Sequence, residues 1–289
     1  MRIALLLLAL LLPASSLAAE SVTFSFAPLR SGESITAREA TAMKLDVSMY
    51  AGDTVMGTMN AENVSTKELT AKLGKWTPKK RVATLRYGQV NEVEGKGMGG
   101  AMDNSETSSP VAHQTYAVKL GKGGEVSIIN TTGGDVTEAE RTAILEDWND
   151  LQRTEGDEFS SALVGKTMAV GDTMDADSSV VQSFVDAMGN DDDMTIKDAS
   201  LVLSEVRTVG GERCAVFSLS LDIAGDDDEV ALQMVVSGEV VVGIKTLRAH
   251  EVTLAGPILL SASSVNDGVA MRMDGKGTMS LTLGSSYGK

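Results

Sequence analysis

The sequence predicts a mainly β (α+β) protein, built on one large curved antiparallel sheet or half-barrel with two or more covering helices. Three observations predict this class. Apolar and polar residues alternate over many segments, glycine-rich turns join these segments, and only two stretches show helical spacing. Long strands joined by short turns favour antiparallel pairing, and the apolar face of such a sheet needs cover.

The first eighteen residues have the pattern of a secretory signal peptide. Arg2 precedes the apolar run Ile3–Leu12, and small residues follow it. As a helix, this run would reach about 15 Å, half of a hydrocarbon core of about 30 Å. We therefore expect an exported protein, periplasmic or extracellular, with no transmembrane segment in the mature chain. Cleavage is expected after Ala18 or, alternatively, after Ala19, and residues 19–289 are expected to form a single domain.

The composition sets several functions aside. Loss of Arg2 with the leader takes the formal net charge from −15 to −16, and a surface this acidic repels nucleic acid. Cys214 is the only cysteine, so no intramolecular disulfide is possible and the fold depends on packing. The 15 methionines are interpreted mainly as flexible core filling, although such side chains also adapt to apolar ligands.

The N-terminal half contains the first predicted strands. Alternation in Met43–Met49 places Met43, Leu45, Val47 and Met49 on one face of a strand. A second strand is predicted at Arg81–Val90. Thr115–Leu120 and Glu125–Ile129 form a predicted hairpin, because the glycines at 121, 123 and 124 permit a tight turn.

The C-terminal half predicts a meander of long strands. The predicted strands are Ser200–Val209, Arg213–Ile223, Val230–Val242, Ile244–Ala255 and Val269–Leu283. Gly210 and Gly211 form the first turn, and Asp274–Gly277 is predicted as a turn or bulge inside the last segment.

Two amphipathic helices are predicted in the segment near residues 137–188. Thr137 and Glu140 have the spacing of a capping box, and Ile144, Trp148 and Leu151 recur at helical intervals through about Arg153. A shorter helix is predicted from Ser178 or Ser179 to Met188, ended by a glycine and an asparagine.

One short sequence segment resembles a segment of known proteins. The segment Leu163–Met174 resembles one that recurs in secreted bacterial β-rich proteins. It consists of a small turn, an apolar strand and then Gly-Asp-Thr. With the predicted helices and hairpins, the layout from Thr137 to Leu283 resembles the periplasmic lipoprotein carriers of the LolA and LppX types. The resemblance implies a curved half-barrel and helices that enclose a lipid-binding cavity.

The short motifs do not support catalysis or nucleotide binding. Gly95–Gly100 matches a dinucleotide-binding pattern but lacks the strand and helix that such a site needs, so it is interpreted as a flexible linker. Gly165–Thr167 matches the end of a phosphate-binding P-loop. A predicted strand follows it, whereas a P-loop needs a helix there. His113 and His250 are too few for a zinc site, and no nucleophile motif accompanies Cys214.

Acidic turns are the remaining candidates for a metal site. They are Asp172 with Asp175 and Asp177, Asp191–Asp193, and Asp226–Glu229, all interpreted as solvated turns with calcium binding left open.

The sequence therefore predicts a non-catalytic exported protein. It would bind or assemble envelope components, with an apolar small molecule or an envelope protein as its partner, and one version is a carrier of an apolar ligand. An envelope hydrolase using acidic residues and a structural partner that pairs through a sheet edge are the alternatives. No catalytic residue, metal ligand or cofactor is predicted, and ligand-binding residues stay unassigned.

Overall fold

The protein has the predicted mainly β fold, with one large antiparallel sheet that is not closed and two helices in its described part. The computed structural model describes residues 20–99, 101–121, 123–153, 158–174, 194–227, 230–266 and 269–288. The signal peptide, both cleavage positions Ala18 and Ala19, and the predicted helix near 178–188 lie outside these residues.

The helices are α1 (Glu138–Arg153) and α2 (Glu158–Leu163). The strands are β1 (Ser21–Thr23), β2 (Ser34–Ala51), β3 (Thr54–Thr77), β4 (Lys80–Met98), β5 (Ala101–Ser108), β6 (Thr115–Leu120), β7 (Val126–Asn130), β8 (Thr167–Ala169), β9 (Thr173–Met174), β10 (Met194–Val209), β11 (Glu212–Asp227), β12 (Val230–Gly243), β13 (Ala249–Asn266) and β14 (Val269–Gly288).

Twelve strands form the large sheet, in the order β7-β6-β4-β3-β2-β14-β13-β12-β11-β10-β9, with β5 paired to β4 beside β6. Nearly all neighbours along this path are consecutive in sequence, as a meander requires. There are two exceptions. β4 pairs with β6 as well as with β5, and β2 pairs with β14 over the whole of Ser34–Ala51. A separate two-stranded sheet consists of β1 and β8.

Two hydrophobic clusters lie on one face of the large sheet, called here the front face and defined by Val47, Leu85 and Phe217. Side chains alternate between the two faces along each strand, and directly paired residues of neighbouring strands lie on the same face. When the pairs are followed from strand to strand, Val47, Leu85 and Phe217 fall on one face. A small third cluster of Cys214, Val216 and Val241 lies on the opposite, back face.

Helix α1 covers the first cluster as the sequence predicts. Glu140 accepts the Thr137 amide at 2.7 Å and donates its own amide to the Thr137 hydroxyl at 3.3 Å, so the capping box is confirmed. Ile144 and Trp148 are fully buried, and the Trp148 ring meets Trp76 of β3 edge-on at 5.5 Å. Aromatic contacts between α1 and the sheet therefore cover the first cluster.

Helix α2 and the small β1–β8 sheet cover the second cluster. Phe217 of β11 lies at its centre, with Phe24 stacked at 5.9 Å and Phe159 edge-on at 5.8 Å. Leu221 and Ile223 on the same strand are fully buried. The predicted strand Arg213–Ile223 therefore lies within β11 and buries one face.

Three glycines allow adjacent strands to approach closely where the sheet bends. A Cβ atom at Gly238, Gly256 or Gly277 would lie 1.7 to 1.9 Å from a backbone oxygen of the neighbouring strand. These positions fall on β12, β13 and β14, which are adjacent in the sheet. Glycine kinks of this kind introduce curvature into a sheet.

Several predicted boundaries are wrong. Gly95–Gly100 was expected to lie in a flexible linker, but β4 continues to Met98 and pairs with β5 as a hairpin. Asp274–Gly277 is neither a turn nor a bulge, because β14 pairs there without a register shift on either side. The strand predicted from Ile244 begins at Ala249, because Leu247 adopts a positive φ of 57° in a turn.

Candidate binding surface at the distal end of the sheet

Part of the large sheet extends beyond both covered clusters. We call it the distal sheet, formed by residues 43–51 of β2, 54–63 of β3, 94–98 of β4 and 271–279 of β14, with β5 along its edge. The elements that cover the two clusters leave several of its apolar side chains accessible. Val55 is 55% exposed and Met56 is 64% exposed.

Three pairs of methionines face each other across strands of the distal sheet. Met43 is opposite Met279, Met49 is opposite Met273, and Met59 is opposite Met98. The register places all six on the same side of the sheet as Val47, so all six belong to the front face. Directly opposed residues have Cβ atoms about 4.5–5.5 Å apart, which lets the two side chains touch.

The methionines of the distal sheet are mostly exposed, which corrects their interpretation as core filling. Met168, Met174 and Met234 are buried in the second cluster. In contrast, six methionines are exposed, with values from 37% to 69%: Met43, Met56, Met59, Met98, Met102 and Met273. Exposed thioethers therefore lie on both faces of the distal sheet, with Met43, Met59, Met98 and Met273 on the front face and Met102 on the back face.

The two faces of the distal sheet differ in charge. The back face carries Lys44 paired with Glu62 at 2.8 Å, and Asp46 accepts the side-chain amide of Asn60 at 2.6 Å. Arg272 lies 4.5 Å above the Tyr50 ring on the same face. On the front face, β4 places Lys96 beside Glu94, and these two pair with each other at 3.2 Å.

An open depression of about 530 Å³ lies at the end of β3 and β4. Its lining consists of Val55, Met56, Gly57, Thr58, Met98 and Gly99. A second open depression, of about 460 Å³, lies elsewhere and is lined largely by serines of β10, β11 and β12. Neither is an enclosed cavity of the kind that the carrier resemblance implies.

The edge of the distal sheet is acidic. β5 pairs with β4 on one side, and Met102–Ser108 are all exposed. Asp103 and Glu106 lie on this strand. Charged residues on an edge strand oppose unwanted pairing with other chains.

The buried acids of α1, Glu140 and Asp147, are engaged in structural contacts. Asp147 pairs with Lys67 and accepts the Tyr87 hydroxyl at 2.8 Å, while Glu140 accepts the Tyr116 hydroxyl. Burial, followed by the nearby Asp147 charge, raises the pKa of Tyr87. The Tyr116 hydrogen bond and then the Thr137 contacts lower the pKa of Glu140. These carboxylates hold α1 on the sheet, an arrangement that differs from the open acid pair of a hydrolase.

The histidines and the cysteine have local roles. His113 is exposed in a turn with a φ of 61°, and His250 is buried 3.2 Å from Glu212. Burial, together with the Glu212 charge, raises the pKa of the Cys214 thiol to about 11. A thiol with this pKa is a poor nucleophile near neutral pH.

The remaining sequence candidates that the structure describes have local roles. Gly165–Thr167 leads into β8, as predicted. Asp172 accepts the Ala169 amide at 2.7 Å in a turn, while Asp175, Asp177 and Asp191–Asp193 lie outside the described residues. Within the described part of the chain, no three His, Cys, Asp or Glu side chains are grouped to hold a metal ion.

Sequence reasoning identified one half of this surface. The alternation of Met43–Met49 was visible, and its four apolar positions do share a face. The opposed methionines come from β14 and β4, and no local pattern reveals that these strands are neighbours.

Comparison with known proteins gives no family. No protein-family model matches the sequence, and no curated protein matches it. The outer membrane protein OprG from Pseudomonas aeruginosa aligns over 91% of this chain and 99% of its own, with 7% identity and a TM-score of 0.18. MucB, solved in complex with MucA, aligns over 82% and 88%, with 8% identity and a TM-score of 0.10. Scores this low carry no argument about fold or function. Among the described helices, none is long and apolar enough to cross a membrane.

Proposed function

We propose that this protein is a non-catalytic binding protein of the cell envelope, which is exported and then binds an apolar partner through the front face of its distal sheet. The observation that supports this most directly is the set of three opposed methionine pairs. Met43, Met59, Met98 and Met273 in these pairs are exposed, whereas Met49 is half-buried and Met279 packs against the second cluster. Contiguous exposed apolar surface is typical of an interaction site.

The chemistry of the surface favours a partner that varies in shape. Methionine has three rotatable bonds and a polarizable sulfur, so it adapts to irregular apolar surfaces. The front face carries the ion pair of Lys96 and Glu94 on β4 only, whereas charged side chains lie on the back face of β2, β3 and β14, so binding is expected on the front face. The proposed occupant is an apolar face of another envelope protein.

Site-specific photocrosslinking in the native host tests this function. A photoreactive residue at Met59 or Met98 should give one defined adduct. The matched controls are Asp46 and Ser48, which flank Val47 on β2 and lie on the back face. Adducts of equal yield from both faces, or no adduct from either, would contradict the proposal.

Native mass spectrometry of the same purified protein distinguishes the alternative occupant. A protein adduct at Met59 supports the proposed partner. A bound lipid of defined mass, with no protein adduct, would instead support the carrier of an apolar ligand.

Export is tested by the N-terminus of the mature protein. Cell fractionation should place the protein outside the cytoplasm. Its sequence should begin at Ala19, or at Glu20 if cleavage follows Ala19. A cytoplasmic protein that retains Leu5–Leu12 would contradict the proposed export.

A further inference from the structure

Two methionines at the end of the distal sheet are the most exposed large apolar side chains of the described chain. Met98 is 69% exposed and Met56 is 64% exposed. Both line the open depression of about 530 Å³ at the end of β3 and β4. Small solutes therefore have access to both thioethers from the same opening.

The local backbone explains this exposure. Met98 is the last residue of β4, and a Cβ atom at the following Gly99 would have nothing within 4 Å. Met56 lies at the irregularity where β3 pairs with β2 through Val55 and Gly57, so no residue of β2 is directly opposite it. The ends of both strands therefore leave these two side chains open to solvent.

An exposed thioether reacts with peroxides. Its sulfur lone pair attacks one oxygen of hydrogen peroxide, the O–O bond breaks, and the sulfur is oxidised to a sulfoxide while the peroxide is reduced to water. Methionine sulfoxide reductases reverse this with two thiols, which are oxidised to a disulfide as the oxygen leaves in water. The sulfoxide is polar, and its burial against an apolar partner is unfavourable because it loses hydrogen bonds to water.

Other methionines of the chain provide internal comparisons. Met168, Met174 and Met234, the buried methionines of the second cluster, are at most 6% exposed, so their packing keeps peroxide away from the sulfur. Met102 is 39% exposed but lies on the back face of β5. It can therefore be oxidised without any change to the front face.

We propose that Met98 and Met56 are sites of reversible oxidation by hydrogen peroxide, and that their sulfoxides switch off binding at the distal front face. The inference rests on the proposed function, because it assigns a regulation to that same surface. Met98 is opposite Met59 on the front face, so its sulfoxide places a polar group within the apolar surface. Met56 lines the same depression, so its sulfoxide adds a second polar group there. Aliphatic side chains would serve apolar docking equally well, whereas only a thioether is modified in this reversible way.

Peptide mass spectrometry tests the modification on the full mature protein without any partner. The protein is treated briefly with dilute hydrogen peroxide, and catalase then removes the peroxide. Sulfoxide should form at Met98 and Met56 about tenfold faster than at the buried methionines of the second cluster. Met102 should react at an intermediate rate. Equal rates at exposed and buried methionines of the folded protein, or no reaction at Met98, would overturn the proposal.

Photocrosslinking tests the effect on binding. Protein with a photoreactive residue in place of Met59 is oxidised to the same limited extent, freed of peroxide and added to the envelope fraction of the host. The yield of the defined adduct should fall about tenfold, and sulfoxide reductases with a thiol should restore it.

Two leucine variants are the matched controls, because leucine keeps the surface apolar at similar volume. Met56→Leu/Met98→Leu should give the same adduct yield before and after oxidation. Met102→Leu should lose the adduct on oxidation, as the wild type does. Loss of the adduct from Met56→Leu/Met98→Leu to the same extent as from the wild type would refute the switch, because other residues would then cause the effect.

The results also separate this proposal from the proposed function. Equal adduct yields from oxidised and untreated wild type would refute the switch and leave the binding function standing. No adduct from untreated protein would contradict the binding function and, with it, the switch, whatever the peptide rates are.

Discussion

Replacement of Asp147 by alanine should remove the polar contacts that hold α1 on the sheet and so destabilise the protein. Asp147 is 4% exposed and engages two residues of the sheet, Lys67 through an ion pair and Tyr87 through a hydrogen bond of 2.8 Å. The Tyr87 hydroxyl is on a side chain only 2% exposed, so it loses its charged partner without gaining water. Lys67 is 29% exposed and can turn towards solvent.

The structure sets the size of this effect. An unsatisfied buried hydroxyl costs about 1–3 kcal/mol. Breaking a fully buried ion pair costs about 3–5 kcal/mol, a ceiling here because Lys67 retains access to water. We therefore expect Asp147→Ala to lower the free energy of unfolding by about 3 kcal/mol. Asp147→Asn keeps an acceptor for Tyr87 and should lose less. Glu146→Ala, on the exposed side of the same helix, should change stability by less than about 0.5 kcal/mol.

Urea unfolding of a double-mutant cycle measures the contact itself. Tyr87→Phe removes the hydroxyl that Asp147 accepts, so the second mutation should cost less once the first is present. We expect a coupling energy of about 1–3 kcal/mol between the two positions. Strict additivity, or an Asp147→Ala variant as stable as Glu146→Ala, would refute the view that this acid anchors α1.

Three further results follow from the described contacts. Gly256→Ala should destabilise the protein by about 3 kcal/mol or more, because its Cβ would lie 1.9 Å from the Val235 carbonyl oxygen, whereas Gly284→Ala, with open space around it, should be nearly neutral in thermal unfolding. Alkylation of Cys214 at pH 8, followed by mass spectrometry, should be slow in the folded protein and fast in urea, since burial raises the thiol pKa to about 11; rapid labelling of the folded state would contradict this. Burial, partly offset by Lys67, raises the pKa of Glu39, so its ionised form opposes folding above that pKa. Glu39→Gln should therefore be more stable than wild type at neutral pH, with the advantage shrinking as the pH falls through the carboxyl pKa; equal stability at both pH values would refute it.

Local signals in the sequence predicted the local structure well. The capping box of Thr137 and Glu140 and the spacing of Ile144 and Trp148 depend on contacts within a few residues, and α1 begins and packs as they predict. The hairpin at Gly210 and Gly211 is equally local, and both glycines adopt the positive φ that such a turn requires.

Contacts between distant segments could not be predicted in the same way. The pairing of β2 with β14 joins Met43 to Met279, and nothing near either residue indicates the other. Alternation likewise assigns Met43 and Val47 to one face without saying whether anything covers that face. Composition suggested that the methionines fill the core, and the structure corrects this because α1, α2 and the small sheet cover the two clusters and leave most of the distal methionines exposed.

The chemistry of the front face changes where its cover ends. Beneath α1 and α2 the chain uses aromatic residues, such as Trp148 and Phe217, which contribute large buried area and fixed geometry. On the uncovered distal part it places methionines opposite one another, although β-branched residues suit a pleated surface better. A surface that only needed to remain soluble would carry polar residues there, as the back face does with Lys44 and Glu62. This contrast supports the proposal that the distal front face binds a partner, and its exposed methionines are the property that any proposed partner must account for.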